Sequence, residues 1–499
     1  MTYDIILVCL HLNPKYYPTR SIPFESVMES SRLLICFLWS VATQAIATAD
    51  VTSWRNGGNG EYPEATALFD WTGDSDLLWK IETTIKSNAC PIIIQGRLYY
   101  CEEPAGIVCV DANTGNTLWI DSYAYEDLLS DSERRSIQGA KAKQAEIEAA
   151  LVPLQRKQYQ LTRQLNRKKD DKTLAAQLEA VNNEVKALQN RVPAGLEKLQ
   201  KPQTKDINGY ASYTPCSDGE YIYTCSGLGT VAKYSLDGKR IWAKRMEWTD
   251  HEWGGSSSPI LAGDKLIVRF ADYAALDLET GEELWRTEDP VAFGTPVVFK
   301  LEGQRFLYTV RGELIRASDG KKLPSQDWTI QGKNHAFFNT NAVVGNRIYA
   351  VHGASEIDGQ AYCMEIPNTV RELEKTGLKQ IWNTEVERDR YYASPLVHQG
   401  LVYVLGRYKV MQALDAITGD VVYSQKIPNM RDQCYAGLLL IGDKIFLGEE
   451  SGLIVLLEPG SEYREAKRFR LEENRSSPIF DGDMAYLRTL EHLYAWQIR

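Results

Sequence analysis

From residue 77 to the end, short apolar runs alternate with turns rich in Gly, Asp and Asn, apart from one interruption between 119 and 210. Residues 257–261 (SSPIL), 265–270 (KLIVRF), 273–277 (YAALD) and 283–285 (ELW) are typical. Four β-rich runs divided by tight turns predict four antiparallel strands. One stretch recurs in this pattern: DANTGNTLW at 111–119, DLETGEELW at 277–285 and DAITGDVVY at 415–423. Its Asp and Thr can satisfy turn backbone groups, and its Gly accepts a positive φ. The aromatic then falls on the outermost strand. There its ring can be buried against the neighbouring sheet while an indole N–H finds a backbone acceptor. The motif therefore reads as a hairpin turn plus a docking aromatic.

The units recur about every 40 residues, the period of four-stranded propeller blades. Eight units are expected, with seven as the alternative because those beginning near Gly294 and Tyr435 are degenerate. The last unit has only three strands. Residues 77–82 (LLWKIE), with Trp79, form an outer strand that no inner strand precedes, and the two together would close a ring and remove both open edges. Between 119 and 210 the periodicity changes. Ile147, Leu151, Leu154, Leu161 and Leu165, then Leu174, Leu178, Val181, Val185 and Leu188, make two heptad stripes joined by a charged turn. They predict an antiparallel helical hairpin that a propeller can carry as an arm. The fold class is thus all-β, an eight-bladed β-propeller with an inserted α-helical hairpin. Its divisions are an n-region and signal peptide (1–49), a lead-in (50–76), the propeller start (77–123), a coiled-coil hairpin (124–205) and the remaining blades (206–499).

The AxDxxTGxxxW-type repeat and the Ser-Ser-Pro blade starts at 257–259 and 476–478 resemble the pyrroloquinoline-quinone-like (quinoprotein-type) β-propeller repeats. The stretches 54–60 (WRNGGNG) and Asp70-Trp71 resemble the lead-in of exported members of that group. The resemblance implies the blades. It does not by itself imply the quinone, because many members keep the blades and bind none. An alcohol dehydrogenase of this type is expected to carry a vicinal Cys-Cys disulfide, carboxylate and amide ligands for calcium, and an Asp base. No two cysteines here are adjacent, and no such calcium-plus-base set is recognisable. The expected cofactor is therefore none. Two functions remain: an exported non-catalytic binding or scaffold propeller, or a divergent quinone-dependent oxidoreductase.

The formal charge of −10 argues against a nucleic-acid surface, and six scattered histidines offer no HxxxH or HExxH pair for a metal. Residues 28–32 (MESSR), the apolar run 33–39 (LLICFLW) and Ala47-Thr48-Ala49 follow the order of a secretory signal peptide, with cleavage expected after Ala49. The apolar run is too short to span a bilayer. The chain is thus expected to be exported, periplasmic or extracellular, with no membrane span once processed. Export makes disulfides accessible, and hairpin registers would set Cys101 opposite Cys90 or Cys109; buried thiols are the alternative.

The best ligand surface is the set of blade starts. His251, Glu252, Trp253, His335, Phe337 and Asn339 precede or begin innermost strands, as do Arg390, Tyr391, Tyr435 and Arg475. They are expected to converge on one mouth of the central channel and to grip a polar ligand or a protein partner. No residue is assigned a catalytic or metal-binding role. Glu102-Glu103 reads as a solvated carboxylate pair, and Asp389 as a surface salt link.

Overall fold

The structure is a computed structural model that describes residues 50–83, 87–168, 171–193, 196, 202, 204, 208–248, 251–289, 293–325 and 337–498. The export signal within 1–49 and His335 lie outside the described residues. Within them the protein is mostly β, with four-stranded sheets arranged as propeller blades. Seven sheets have four strands and one has five. In chain order, sheets 1 to 7 span 92–122, 216–245, 260–287, 297–323, 342–386, 396–426 and 439–470. Sheet 8 joins the two ends of the propeller sequence: Leu77–Glu82 pairs antiparallel with His492–Gln497, beside the strands at 479–481 and 484–488.

The repeated motif works between sheets. In the turn of sheet 3, Asp277 Oδ1 accepts from Glu279 N at 3.0 Å, Thr280 N at 2.8 Å and Thr280 Oγ1 at 2.9 Å. Gly281 follows at φ +69°, a left-handed conformation that costs a glycine little. The Trp242 ring of sheet 2 lies on that glycine, where a Cβ would come within 2.8 Å of it. Its indole N–H donates to Leu278 O at 3.1 Å. Trp79, Trp119, Trp285 and Trp382 repeat the contact, donating to Ala112 O, Leu236 O, Ala317 O and Ala416 O. Among the described residues sheet 4 has no such Trp, and its outer strand is Lys322–Leu323. A short helix α3 (Val370–Thr376; α1 and α2 are defined below) fills the place, burying Val370 and Leu373 with Phe299, Phe306 and Leu314.

A second set of links runs around the inner ends of the sheets. Just before the inner strands stand Cys90, Thr214, Ser258, Thr295, Thr340, Ser394, Gly437 and Ser477. Cys90 N donates to Thr214 Oγ1 (3.0 Å), Thr214 N to Ser258 Oγ (3.0 Å), and Ser258 N to Thr295 Oγ1 (2.9 Å). Thr295 N donates to Thr340 Oγ1 (3.2 Å) and Thr340 N to Ser394 Oγ (3.0 Å). Gly437 N donates to Ser477 Oγ (3.1 Å), and Ser477 N returns to sheet 1 at Cys90 Sγ (3.2 Å). Six of these residues precede a proline, which biases each to the extended backbone that aims its N–H sideways at the next sheet.

One side-chain link is missing, between Ser394 and Gly437, where glycine has no hydroxyl. The lead-in supplies it. Thr52 O accepts from Ser217 N at 2.8 Å, Glu61–Tyr62 pairs in parallel with Leu440 and Ile441, and Arg55 lies buried between. Arg55 Nη2 donates to Pro395 O of sheet 6 at 2.9 Å and to Leu438 O of sheet 7 at 3.0 Å. A Cβ at position 437 would stand 3.3 Å from Arg55 Cδ, so the glycine leaves room for the arginine. Burial lowers the guanidinium pKa to about 10, and it remains charged at neutral pH. Further along, Trp71 packs on Phe69, Phe469 and Trp496, fastening the lead-in to sheets 7 and 8.

The interruption folds as α1 (Asp131–Arg167) and α2 (Lys172–Gln189). Ser130 and Glu133 form a capping box at the start of α1, and Asp171 caps α2. Ile147, Leu151 and Leu161 bury against Val181 and Val185. Gln158, at the break in the apolar stripe, donates across the seam to Asn182 Oδ1 at 2.7 Å. Pro153 lies inside α1, which continues through it.

The described cysteines are all free and buried. Cys101 faces Ile107 rather than Cys109, because the hairpin pairs Glu102 with Gly106. Cys90 stands ahead of its strand and bonds to sheets 2 and 8 instead. Glu103 is also not solvated: its carboxylate accepts Tyr210 N at 2.5 Å and Ala211 N at 2.7 Å, fixing the chain's return from the helices.

Two measurements check this packing. Arg55→Met should lower unfolding stability by about 2–4 kcal/mol, the scale of losing hydrogen bonds to a buried charge. Gly437→Ser alone should also destabilise, by crowding Arg55. Combined, the two should cost less than their sum, because the new hydroxyl restores the missing link; chemical denaturation of the four proteins measures that coupling.

The second concerns Asp289, buried beside Arg269 (Nε to Oδ2, 3.0 Å). Burial and the neighbouring Glu313 carboxyl raise its pKa to about 7. The folded state therefore holds a proton that the unfolded chain releases near pH 4. The stability it contributes is complete below that pH and is lost as pH rises through about 7. Asp289→Asn should remove this decline from melting curves taken between pH 5 and 8.

Candidate functional site

Where the inner strands begin, the sheets surround a cavity of about 510 Å³. Its floor is Trp54 of the lead-in, whose indole N–H donates to Thr340 Oγ1 at 3.2 Å. Trp54 also borders a second cavity of about 250 Å³ lined by Thr52, Asn59, Ile260, Val297 and Val343, further along the inner strands. The lead-in thus stands between the two cavities.

One side of its wall is aromatic. His251, Phe293, Phe338, Tyr392 and Tyr435, one from each successive sheet start, form a chain of ring contacts at 5.4, 5.4, 4.7 and 5.2 Å. Burial raises the Tyr435 hydroxyl to about 12, and both tyrosines stay neutral donors.

Beside the rings stand Arg390, Arg407 and Arg475. Asp389, fully buried and at φ +81°, holds the first two: its carboxylate accepts Arg390 N at 2.8 Å, Arg390 Nη1 at 3.3 Å and Arg407 Nη1 at 3.2 Å. Asp389 is therefore an interior anchor and not a surface salt link. Glu450 holds Arg475 through Nε at 2.7 Å and Nη2 at 2.6 Å. Both carboxylates stand behind the arginines, and neither borders the cavity. Among the described residues no Asp or Glu lines it.

Of the residues singled out from sequence, His251, Trp253, Arg390, Tyr435 and Arg475 border the cavity, and Glu252 does not. Phe337, Asn339 and Tyr391 turn the other way. Phe337 is buried against His352, Asn339 Nδ2 donates to Val351 O and Tyr391 O, and Tyr391 OH donates to Glu387 O. The reason is the alternation of side chains along extended backbone: it is the neighbours Phe338, Thr340 and Tyr392 that face the cavity. Sequence reasoning also missed Trp54 and Arg407. Arg407 belongs to the next hairpin turn and is drawn in by its own N–H, which donates to Arg390 O at 2.9 Å. Among the described residues no group of His, Cys, Asp and Glu could hold a metal ion, and no helix is long and apolar enough to cross a membrane.

Sheets docked by Trp on D-x-x-T-G turns define a β-propeller of pyrroloquinoline-quinone-like repeats. A family model described as outer membrane protein assembly factor BamB matches residues 227–360 and 351–499, more than half of the chain, and the chain belongs to that family. No curated protein matches it significantly. Among solved structures it is similar to BamB from Moraxella catarrhalis, at 10% identity and a TM-score of 0.53, over 85% of this chain and 99% of that one. It is also similar to the quinohemoprotein alcohol dehydrogenase from Comamonas testosteroni, at 11% identity and a TM-score of 0.51, over 90% of this chain and 80% of that one. At such identities the likeness is one of fold.

Asp389→Asn tests the site's anchoring. Asparagine tolerates the left-handed backbone but brings no charge for the two arginines. Stability should fall by about 1–3 kcal/mol, and a Lys at 407 should depend on Asp389 less than Arg does, because it lacks the planar fork. Denaturation of the double-mutant cycle measures both.

Proposed function

We propose that the protein is an exported, non-catalytic binding propeller whose eight sheets close into an eight-bladed ring, with its contacts at the channel mouth and on the helical hairpin. The closed ring is supported by the pairing of Leu77–Glu82 with the last strands and by the Ser477 N–H link to the Cys90 thiol, which leads from sheet 8 back to sheet 1. The periplasmic or extracellular location is supported by the signal-like residues 28–49 and by the family's description as an outer-membrane assembly factor. That description also favours a protein partner; the net negative charge disfavours nucleic acid.

The observation that carries the reading is the cavity wall. Among the described residues it offers arginines, hydroxyls and rings, but no carboxylate to ligate calcium or act as an Asp base. The arginines could meet a quinone's carboxylates, so the wall suits the anion and not the metal that works with it. His251 Nδ1 accepts Trp253 N at 3.2 Å and is engaged within its own loop. The second reading, a quinone-dependent oxidoreductase, is favoured by the fold of the Comamonas enzyme alone.

The discriminating assay adds pyrroloquinoline quinone and calcium to the purified chain and follows dye-linked oxidation of alcohols and sugars. No turnover is expected; stoichiometric quinone binding with turnover would overturn the binding-protein reading. Removal of residues 131–189 through a short linker should leave the propeller's melting transition in place, because a surface insertion costs a fold little, and should weaken capture of the partner. Protein recovered outside the cytoplasm should begin at Asp50; recovery of the intact chain from the cytoplasm alone sinks the export assignment.

A further inference from the structure

We infer that the outer face of α1 is a docking surface for an acidic helix of another polypeptide. This names the chemistry of the contact assigned above to the helical hairpin and rests on that reading. Neither stretch matched by the family model includes the hairpin. Charge is unevenly spread along α1. Residues 131–148 carry four Lys or Arg and four Asp or Glu, whereas residues 149–168 carry five Lys or Arg and no Asp or Glu. Residues 131–189 as a whole hold 12 Lys or Arg against eight Asp or Glu, in a chain of formal charge −10. Charges further apart than about 10 Å are largely screened in salt, so a partner at the arm meets this local basic excess rather than the net charge of the chain.

The basic residues are also arranged. Val152, Arg156, Tyr159, Arg163 and Arg167 follow one another at intervals of 4, 3, 4 and 4, which sets them on one face of a helix. That face lies opposite the seam where Ile147, Leu151 and Leu161 meet Val181 and Val185. All five side chains are exposed, Val152 to 46% and Tyr159 to 64%. The Arg163 guanidinium lies 5.8 Å from the centre of the Tyr159 ring. None of the three arginines has a carboxylate partner among the described residues, whereas Arg390, Arg407 and Arg475 at the channel mouth are each held by one.

Composition and spacing select the partner. Arg and Tyr are enriched at protein interfaces and Lys and Glu depleted, and neither Lys nor Glu stands in the stripe. Its spacing is close to the alternating 4 and 3 of the seam, so a further helix can pack on this face as α2 packs on the other. The stripe is about 22 Å long by the helical rise. A helix that meets it needs carboxylates for the guanidiniums, whose planar forks suit them, and apolar residues between for Val152 and Tyr159. A second copy of this stripe carries the same charge and is repelled. An anionic membrane suits the face less well. Among the described residues Val152 and Tyr159 are the only large apolar side chains exposed on α1, too few for the broad apolar face of a helix that lies in a lipid interface.

The test is fluorescence anisotropy of labelled peptides titrated with the full chain. The acidic probe is four heptads of Glu-Ile-Ala-Ala-Leu-Glu-Glu. One control has Lys in place of every Glu, and the other has the acidic composition in scrambled order without a heptad. The acidic repeat should bind at least tenfold more tightly than either control, and more weakly as salt is raised. The variant R156Q/R163Q alters two exposed side chains away from the seam. It should lose at least tenfold in affinity for the acidic repeat while keeping the parent's melting transition. Vesicles of phosphatidylcholine and phosphatidylglycerol in equal parts are a fourth probe. Vesicle binding that R156Q/R163Q abolishes, with no preference for the acidic repeat, would assign the face to a membrane and overturn the inference. So would an acidic repeat that does not bind, a scrambled peptide that binds as well, or a folded variant with full affinity. The comparison of peptides uses the unaltered chain and does not depend on a variant folding. Failure here leaves the non-catalytic reading standing, whereas quinone turnover removes that reading without touching the helical arm.

Discussion

Where sheets meet around a channel, each inner strand presents a backbone N–H at its start that is buried and must be paired. In this protein the side chain of the next sheet does the pairing, through a hydroxyl at five junctions in succession, from Cys90–Thr214 to Thr340–Ser394. The rest of the propeller depends on that constraint. It sets how far apart and at what angle neighbouring sheets stand at the axis, while Trp242 and its counterparts set the same relation at the rim. With both edges of a sheet held, a blade has little freedom to slide, and the groups facing the channel are held in place before anything binds them.

The exception shows how the lead-in became part of the propeller. At Gly437 the hydroxyl is absent and the guanidinium of Arg55 takes over its bridging, reaching sheets 6 and 7 at once. A buried arginine is expensive to desolvate. It persists here because one side chain also orients the residue before it. Trp54 is carried to the channel and borders both cavities, so the piece that completes the set of links also stands between them.

Much of this was legible in sequence because it repeats. The D-x-x-T-G turns at 111, 277 and 415 predict a hairpin and a docking ring, and Trp119, Trp285 and their partners dock as the motif requires. The helical stripe from Ile147 to Val185 was legible for the same reason, a period sustained over many residues. The candidate site was only half legible. The stretches meet at one cavity, which Arg390 and Tyr435 border, but within a stretch the facing residue is decided by pleat parity, and one step separates Tyr392 from the buried Tyr391. No periodicity precedes Asn339 or Tyr391 to fix that parity. Arg55 and Trp54 were legible as a lead-in motif and not as neighbours of sheets 5, 6 and 7, because those contacts span about 300 residues or more of sequence.

The Ser-Ser-Pro starts illustrate how a structural feature acquires chemical consequences. Their hydroxyls exist to hold one sheet to the next, and accepting an N–H is enough for that. A hydroxyl that only accepts still carries a proton, and Thr214, Ser258, Thr295, Thr340 and Ser394 all border the cavity. An interior lined this way carries hydroxyl groups as a by-product of being a propeller. The same links could be built with any small acceptor, and Cys90 does so with a thiol. What then distinguishes the sheet 6 and 7 side of the mouth is the addition of arginines steered by carboxylates placed behind them, Asp389 below Arg390 and Arg407, and Glu450 beside Arg475. Because these acids lie off the cavity, they orient the arginines without offering acceptors to a ligand. The fixed girdle and the steered arginines therefore border one cavity, and among the described residues the acids that hold those arginines stand off its wall.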